Sequence, residues 1–439
     1  MSSDRLSDLP DPLLTQILSH LPIIDSVKTS VLSKRWDSLW LTVSTLDLND
    51  RDIAPPYKKL FATFIDSFLD HNFESPLLQS LKIKYDECNV NLFPISEWIA
   101  TAVHLRGIHH LDVEIQNPMH VVDFTPASVY KSKTLVSLKL SHVRVRNLME
   151  EVSLPCLRLM SLENVCYGTP LGKKGDLCVE KLISGCPVLE DLELVRKCDD
   201  MVKTLRVRSQ SLKMFRLEFR SGMGGGVEID APGLEYMSFK DCQSDRIVVK
   251  NLNSLVKIDV DSGFNVKFGD SEDLIKSDTI SCFFTGVSSV RQMIISQPTL
   301  EILYRYFELV PVAEFQRLYH LQAAFSTSLL QLLPAFLDSC PNLKNLVLDF
   351  SVSAESEQIN LTNVPRCLTS TLECVEINKL IMREETGIKL VNYFLENAAV
   401  LKKLSVSFTD SPMADEDLDT YKELLTSTKR SRICQVFIS

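Results

Sequence analysis

Cysteine and histidine are the residues of this chain whose types could do chemistry most directly, as nucleophiles, redox pairs or zinc ligands. Twelve cysteines occur in 439 residues, at 88, 156, 166, 178, 186, 198, 242, 282, 340, 367, 374 and 434, with eight histidines. No two cysteines form a Cys-x-x-Cys pair, and the histidines do not join them at ligand spacing. His109-His110 falls on a strand pattern, where partial exposure accounts for it better than a metal does. Free, mostly buried thiols in a reducing compartment are the simplest reading. Gly222-Met223-Gly224-Gly225-Gly226 could cradle a phosphate through its N–H groups. It lacks a following Lys-Ser/Thr and leads into a strand pattern, Val227–Ile229, so a turn between repeats fits better. Gly-x-Ser-x-Gly, His-Glu-x-x-His and Walker patterns are missing from the sequence. Lys173-Lys174 and Lys429-Arg430-Ser431-Arg432 read as solvated loop charge, with nuclear import as the alternative. The expectation is a chain that is not an enzyme and holds neither cofactor nor metal.

The other chemistry available is recognition, and it is concentrated in the first 40 residues. Leu9, Leu13, Leu14, Ile17, Leu18 and Leu21 recur at helical spacing and make a wide apolar stripe. Asp8 can cap this helix, with Pro10 and Pro12 in its opening turn, and Pro22 stops it. Asp25 can cap a second helix carrying Val27, Val31 and Leu32, and Ser33 a third carrying Trp36, Leu39 and Trp40. Some 40 residues cannot bury that much apolar surface alone, so the piece must dock on the rest of the chain or on another protein. Two of the three tryptophans lie within it, as interface anchors or as core.

This segment resembles the F-box in its plant version. Leu9-Pro10 matches the opening pair, Ile17-Leu18-Ser19-His20-Leu21-Pro22 the end of the first helix, and Ser30 to Trp36 the Ser-Val-Leu-Ser-Lys-Arg-Trp run. The resemblance implies binding to the Skp-type adaptor of a cullin-based ubiquitin ligase. Carried over by position, the implied contacts are Leu9, Pro10, Leu13, Ile17, Leu18, Leu21, Val31, Leu32 and Trp36. The competing reading is a helical cap that buries the same stripe internally.

Composition sets the bounds. The chain exceeds one compact core, so it holds several domains or a repeat array. A hydrophobic content of 45% and mean hydropathy of +0.05 describe a globular protein. A net charge of −10 disfavours broad binding to nucleic acid or anionic membranes. No apolar run reaches the ~20 residues that span a bilayer. Met1 to Leu9 lacks a signal-sequence pattern, so an intracellular protein of the nucleus or cytoplasm is expected.

From about residue 43 the pattern apolar-x-x-apolar-x-apolar recurs, as in Leu78 to Ile83, Leu135 to Leu140, Leu189 to Leu194 and Leu343 to Leu348. Its second apolar position falls at 46, 81, 111, 138, 160, 192, 215, 237, 258, 293, 321, 346, 375 and 404. Most gaps lie near the leucine-rich-repeat period. Each repeat offers one short strand with its leucines inward, and stacking closes the core. Return segments such as Glu180–Cys186 and Leu332–Cys340 look helical and end in Cys-Pro, which resembles F-box leucine-rich-repeat proteins. Pro365 to Glu373, Val375-Glu376-Ile377 and Glu396 to Leu404 resemble the plant FBD domain. That stretch reads as strand, helix, strand, a helix near Asp417–Thr426 and an apolar last strand, Cys434–Ile438, capping the array.

The fold class expected is an α/β repeat: an F-box at 1–42, an irregular leucine-rich solenoid at 43–364, and an FBD-like cap at 365–439. Residues between the last two apolar positions point away from the core. They run Lys82, Asp112, Lys139, Ser161, Glu193, Arg216, Ser238, Asp259, Ile294, Gln322, Val347, Glu376 and Ser405. Glu193, Arg216, Asp259, Ile294 and Val347 are the candidate target contacts, provided the register holds between 258 and 321. Lys203, Arg206, Arg208, Lys213, Arg216 and Arg220 are the densest basic stretch, read as a solvated face or an acidic-ligand site. The resemblance implies a subunit that recruits an unknown target protein and works by proximity. A hormone-like small-molecule sensor and a scaffold without ligase attachment remain as alternatives.

Overall fold

The computed structural model describes residues 6, 8–71, 78–85, 94–115, 125–145, 151–168, 175–219, 221–222, 224–266, 273–306, 313–351, 361, 363–381, 385–409 and 428–438. The helix expected at 417–426, Lys173-Lys174, Arg220 and Cys88 lie outside them. The chain divides into two units, Met1–Leu212 and Lys213–Ser439.

The first unit opens with helix α1, Asp11–Leu18, and helix α2, Ile23–Lys28. Both start directly after a proline, Pro10 and Pro22, in extended conformation, and neither has a side-chain cap. Asp8 therefore does not cap α1. Asp25 sits inside the first turn of α2, where it pairs with Lys28 at 2.8 Å and complements the helix dipole. The third helix is replaced by a 3₁₀ turn at Thr29–Val31, irregular turns, and a second 3₁₀ turn at Leu39–Thr42. Ser33, Asp37 and Ser38 are poor helix formers that compete for backbone bonds, and the run never accumulates a helical ladder.

Six parallel strands follow in this unit: Thr45–Asn49, Ser80–Tyr85, His110–Ile115, Ser137–Ser141, Leu159–Glu163 and Asp191–Arg196. Leu46, Leu81, Leu111, Leu138, Met160 and Leu192 stand opposite one another across them. All are at most 1% exposed, and each strand alternates core residues with outward ones. Helices α3, Lys58–His71, α4, Ile95–His104, and α5, Gly175–Ser184, occupy return segments. Short strands Arg144–Val145 and Cys166–Tyr167 pair on the return side.

The second unit continues the pattern with nine parallel strands from Met214–Phe219 to Gln435–Ile438. Its row is Phe215, Met237, Ile258, Met293, Leu321, Leu346, Val375, Leu404 and Val436. The register thus holds between 258 and 321, across gaps of 35 and 28 residues. Some returns are helical, such as Leu332–Asp338 and Glu385–Asn397, but Gly226–Asp230 and Arg246–Lys250 are paired strands. The glycine run before Gly226 does hold an anion, and it is the protein's own. Asp245 Oδ2 accepts the Gly225 N–H at 3.2 Å, and a Cβ on Gly224, at φ +72°, would lie 2.2 Å from that oxygen. The run is a turn shaped by a carboxylate, not a phosphate site.

Candidate protein-binding surfaces

Helix α1 has two apolar sides. Leu14 and Leu18 are 0% and 1% exposed and face the chain's own core. Leu13 and Ile17 stand out at 46% and 39%, with Leu21 at 40%, Leu32 at 64% and Val31 at 85%. Pro10 is exposed and Leu9 half-buried. Leu18 and Trp36, the latter 3% exposed, are the two of the nine expected contacts that offer no surface. The motif residues thus split into buried braces and exposed positions, a split invisible to helical periodicity.

Backbone and polar bonds hold this arrangement. Ser26 Oγ donates to the Leu18 carbonyl at 2.9 Å, and the Leu21 N–H donates to the same oxygen at 3.0 Å, closing the end of α1. Thr15 and Thr42 join hydroxyl to hydroxyl at 2.9 Å. Arg35 spans back to the start of α1, donating to Asp11 Oδ1 from Nε at 3.0 Å and Nη2 at 2.6 Å, and also to the Leu9 carbonyl. Arg35 therefore fixes the exposed turn after Leu32 against the Leu9-Pro10 pair, a role its neighbours in sequence did not reveal. Trp40 stacks within the chain, its ring 4.9 Å from Phe64 and 6.1 Å from Phe68 of α3. The tryptophans act as internal anchors.

The outward face of the strand ladder is the second surface. In the first unit Asp47, Lys82, Asp112, Lys139, Ser161 and Glu193 stand in one row. Burial raises the Asp112 carboxyl, opposed by the Lys82 and Lys139 ammoniums on either side. Lys84 pairs with Glu114 at 2.8 Å, and Ser161 Oγ donates to Glu193 at 2.9 Å. In the second unit the row is Arg216, Ser238, Asp259, Ile294, Gln322, Val347, Glu376, Ser405 and Phe437. Asp47 and Phe437 extend the expected row at its two ends.

Ile294 and Val347 face away from the core, half-buried, on either side of Gln322. Polar groups around them are engaged with one another. Gln322 Nε2 and Asn378 Nδ2 donate to Asp349 at 3.0 and 3.2 Å, and Ser407 Oγ donates to Asn378 at 3.2 Å. Ser238 Oγ donates to Asp259 at 3.3 Å. His320 is held below the ordinary imidazole range by burial and by Lys257. The basic stretch is partly neutralised: Arg206 and Arg208 both reach Glu180, at 3.7 and 3.5 Å. At the strand end, His142 Nε2 lies 3.1 Å from Asn164 Nδ2 and its Nδ1 3.0 Å from Ser141 Oγ. Among the described residues no group of three or more His, Cys, Asp and Glu side chains could hold a metal, and no helix is long and apolar enough to cross a membrane.

Comparison with known families agrees with this layout. The F-box domain profile matches residues 6–47, the LRR repeats of the FBD-associated F-box protein At5g56370 match 95–298, and the FBD profile matches 358–406. An amino-terminal F-box followed by a leucine-rich parallel ladder and an FBD region defines the class. Three Arabidopsis thaliana proteins are similar along their whole length. The putative F-box/FBD/LRR-repeat protein At5g44950 is 57% identical over 451 residues, with 100% of both chains covered. The F-box/FBD/LRR-repeat protein At2g26030 is 54% identical over 450 residues, again with 100% of both. The FBD-associated F-box protein At5g27750 is 45% identical over 464 residues, covering 99% of this chain and 98% of its own. The chain belongs to the F-box/FBD/LRR-repeat family.

Proposed function

We propose that this chain is a substrate-recruiting subunit of a Skp–cullin–F-box ubiquitin ligase acting inside the cell, in the nucleus or cytoplasm. The observation that carries the reading is the exposed apolar set Leu13, Ile17, Leu21, Val31 and Leu32 on a module whose own core is already filled. Fully burying such a side chain contributes about 1.5–3 kcal/mol, which a soluble surface otherwise forgoes. Leu9 and Pro10 border this set, and Leu18 and Trp36 support it from within. The adaptor docks there, and a cullin is reached through the adaptor.

The target docks on the outward face of the ladder, with Glu193 as a charged contact in the first unit and, in the second, Arg216, Asp259 and the apolar pair Ile294 and Val347 within a polar surround. No covalent step belongs to this chain. Holding the target near a charged conjugating enzyme raises the effective concentration of the target's lysine. With boundaries at 42/43 and 364/365, adaptor binding belongs to the first part, target recognition to the second, and the third continues and caps the array.

Co-expression with a plant Skp-type adaptor, followed by gel filtration, tests the reading. Wild type co-elutes with the adaptor, and Val31→Asp/Leu32→Asp does not while keeping its circular dichroism spectrum. Wild type that fails to form a complex overturns the ligase reading in favour of a scaffold.

A further inference from the structure

The last strand of the second unit, Gln435–Ile438, is paired on one side only. It runs parallel to Lys403–Phe408, and no described strand lies beyond it. One bond fixes its backbone orientation: the Gln435 N–H donates to the Lys402 carbonyl at 2.9 Å. In a parallel pair a residue turns both backbone groups toward one neighbour, and the next residue turns both away. Gln435 and Phe437 therefore face the ladder, while Val436 and Ile438 present N–H and C=O to the open side.

The side chains at this edge are apolar and uncovered. Phe437 is 49% exposed, and Ile433, just before the strand, 65%. Val436 and Ile438 lie on the core side yet are only half-buried, whereas their partners Leu404 and Val406 are 0% and 1% exposed. Unused backbone groups beside half-covered apolar side chains make a template for a further strand.

Charge selects the kind of strand. Lys429, Arg430 and Arg432 come just before this strand in the chain, and Lys402 and Lys403 stand where the strand it pairs with begins. Among the described residues one carboxylate answers them, Glu373, bonded to Lys402 at 2.7 Å. Lys429 and Arg430 donate to backbone carbonyls of Cys434 and Asn397 at 3.5 and 3.3 Å. Lys403 lies over the Phe437 ring at 5.4 Å, and Arg432 is exposed. A second copy would bring the same cations against these, which disfavours self-pairing.

We propose that this edge takes up an extended acidic segment of a partner protein by strand addition. Strand alternation sets its pattern: apolar residues continue the core beside Val436 and Ile438, and Asp or Glu residues lie on the Phe437 side, within reach of Lys403.

The test uses the full chain and a fluorescein-labelled peptide of alternating Glu and Val, read by fluorescence anisotropy. Val436→Pro removes an N–H on the open side and leaves the inward bonds of Gln435 and Phe437 in place. It is expected to weaken binding at least tenfold, as is Lys403→Glu/Arg432→Glu, and added salt weakens the wild-type complex. Should Val436→Pro fail to fold by circular dichroism, the charge-reversed variant carries the test. The proposal is overturned if the peptide does not bind, if an alternating Lys and Val peptide binds as well, or if the folded variants bind unchanged. Sedimentation showing self-association that Val436→Pro abolishes would assign the edge to a second copy and also overturn it.

Discussion

Val31 and Trp36 belong to one motif run, yet the first is 85% exposed and the second 3%. Substitution should separate them. Trp36→Ala opens a cavity and is expected to cost about 3–5 kcal/mol, seen as a lowered denaturation midpoint. Val31→Asp/Leu32→Asp should leave that midpoint within about 0.5 kcal/mol and lose only the adaptor. Arg35→Ala frees Asp11 and the Leu9 carbonyl, and adaptor binding should weaken while the ladder stays folded. The thiols divide in the same way. Burial pushes Cys186, Cys340 and Cys367 up to about 12, so at neutral pH they stay protonated and should resist Ellman's reagent. Cys156, Cys198 and Cys282 are exposed and should react without denaturant. A raised folded value also means stability that is complete below the ordinary thiol value of 9.0 and is lost as pH climbs toward about 12. Urea midpoints measured across that window should fall.

At the scale of elements, the ladder register makes the sharpest claim. Ile294→Asp and Val347→Asp place a charge on the outward face and should barely move the melting temperature. Met293→Asp and Leu346→Asp, one residue earlier, bury a charge at positions 0% and 1% exposed and should abolish folding. Gly185→Ala should destabilise by about 1–3 kcal/mol, because the new methyl would meet Val152 Cγ1 at 2.6 Å and its carbonyl oxygen at 2.7 Å. The strand rows were legible in the sequence because alternation has a period of two and the core positions are almost all Leu, Ile, Met, Phe or Val. Helix starts were less so, since Pro10 and Pro22 took the positions where Asp8 and Asp25 had been expected to cap. Long-range polar pairing was not legible. Nothing local announces that Glu180 will meet Arg206 and Arg208, or that Asp245 will fill the glycine turn. The F-box motif could be read from its residues, but not which of them face outward, because both sides of α1 are apolar.

For the molecule as a whole, net charge and local charge differ in sign. The chain carries −10 at neutral pH, while the terminal strand sits among cations. It should therefore bind an anion exchanger and elute early from a cation exchanger, and a short acidic peptide should still find its edge. The ladder also has a bearing on how such genes can vary. Between consecutive core positions, 21 residues separate Met237 from Ile258 and 35 separate Ile258 from Met293, yet both pairs stand opposite one another without slippage. Doubling a return segment adds only about 0.6 kcal/mol of loop-closure cost. Insertions and deletions on the return side should therefore be tolerated at little cost, while adding or removing one codon within a strand inverts which residues meet the partner.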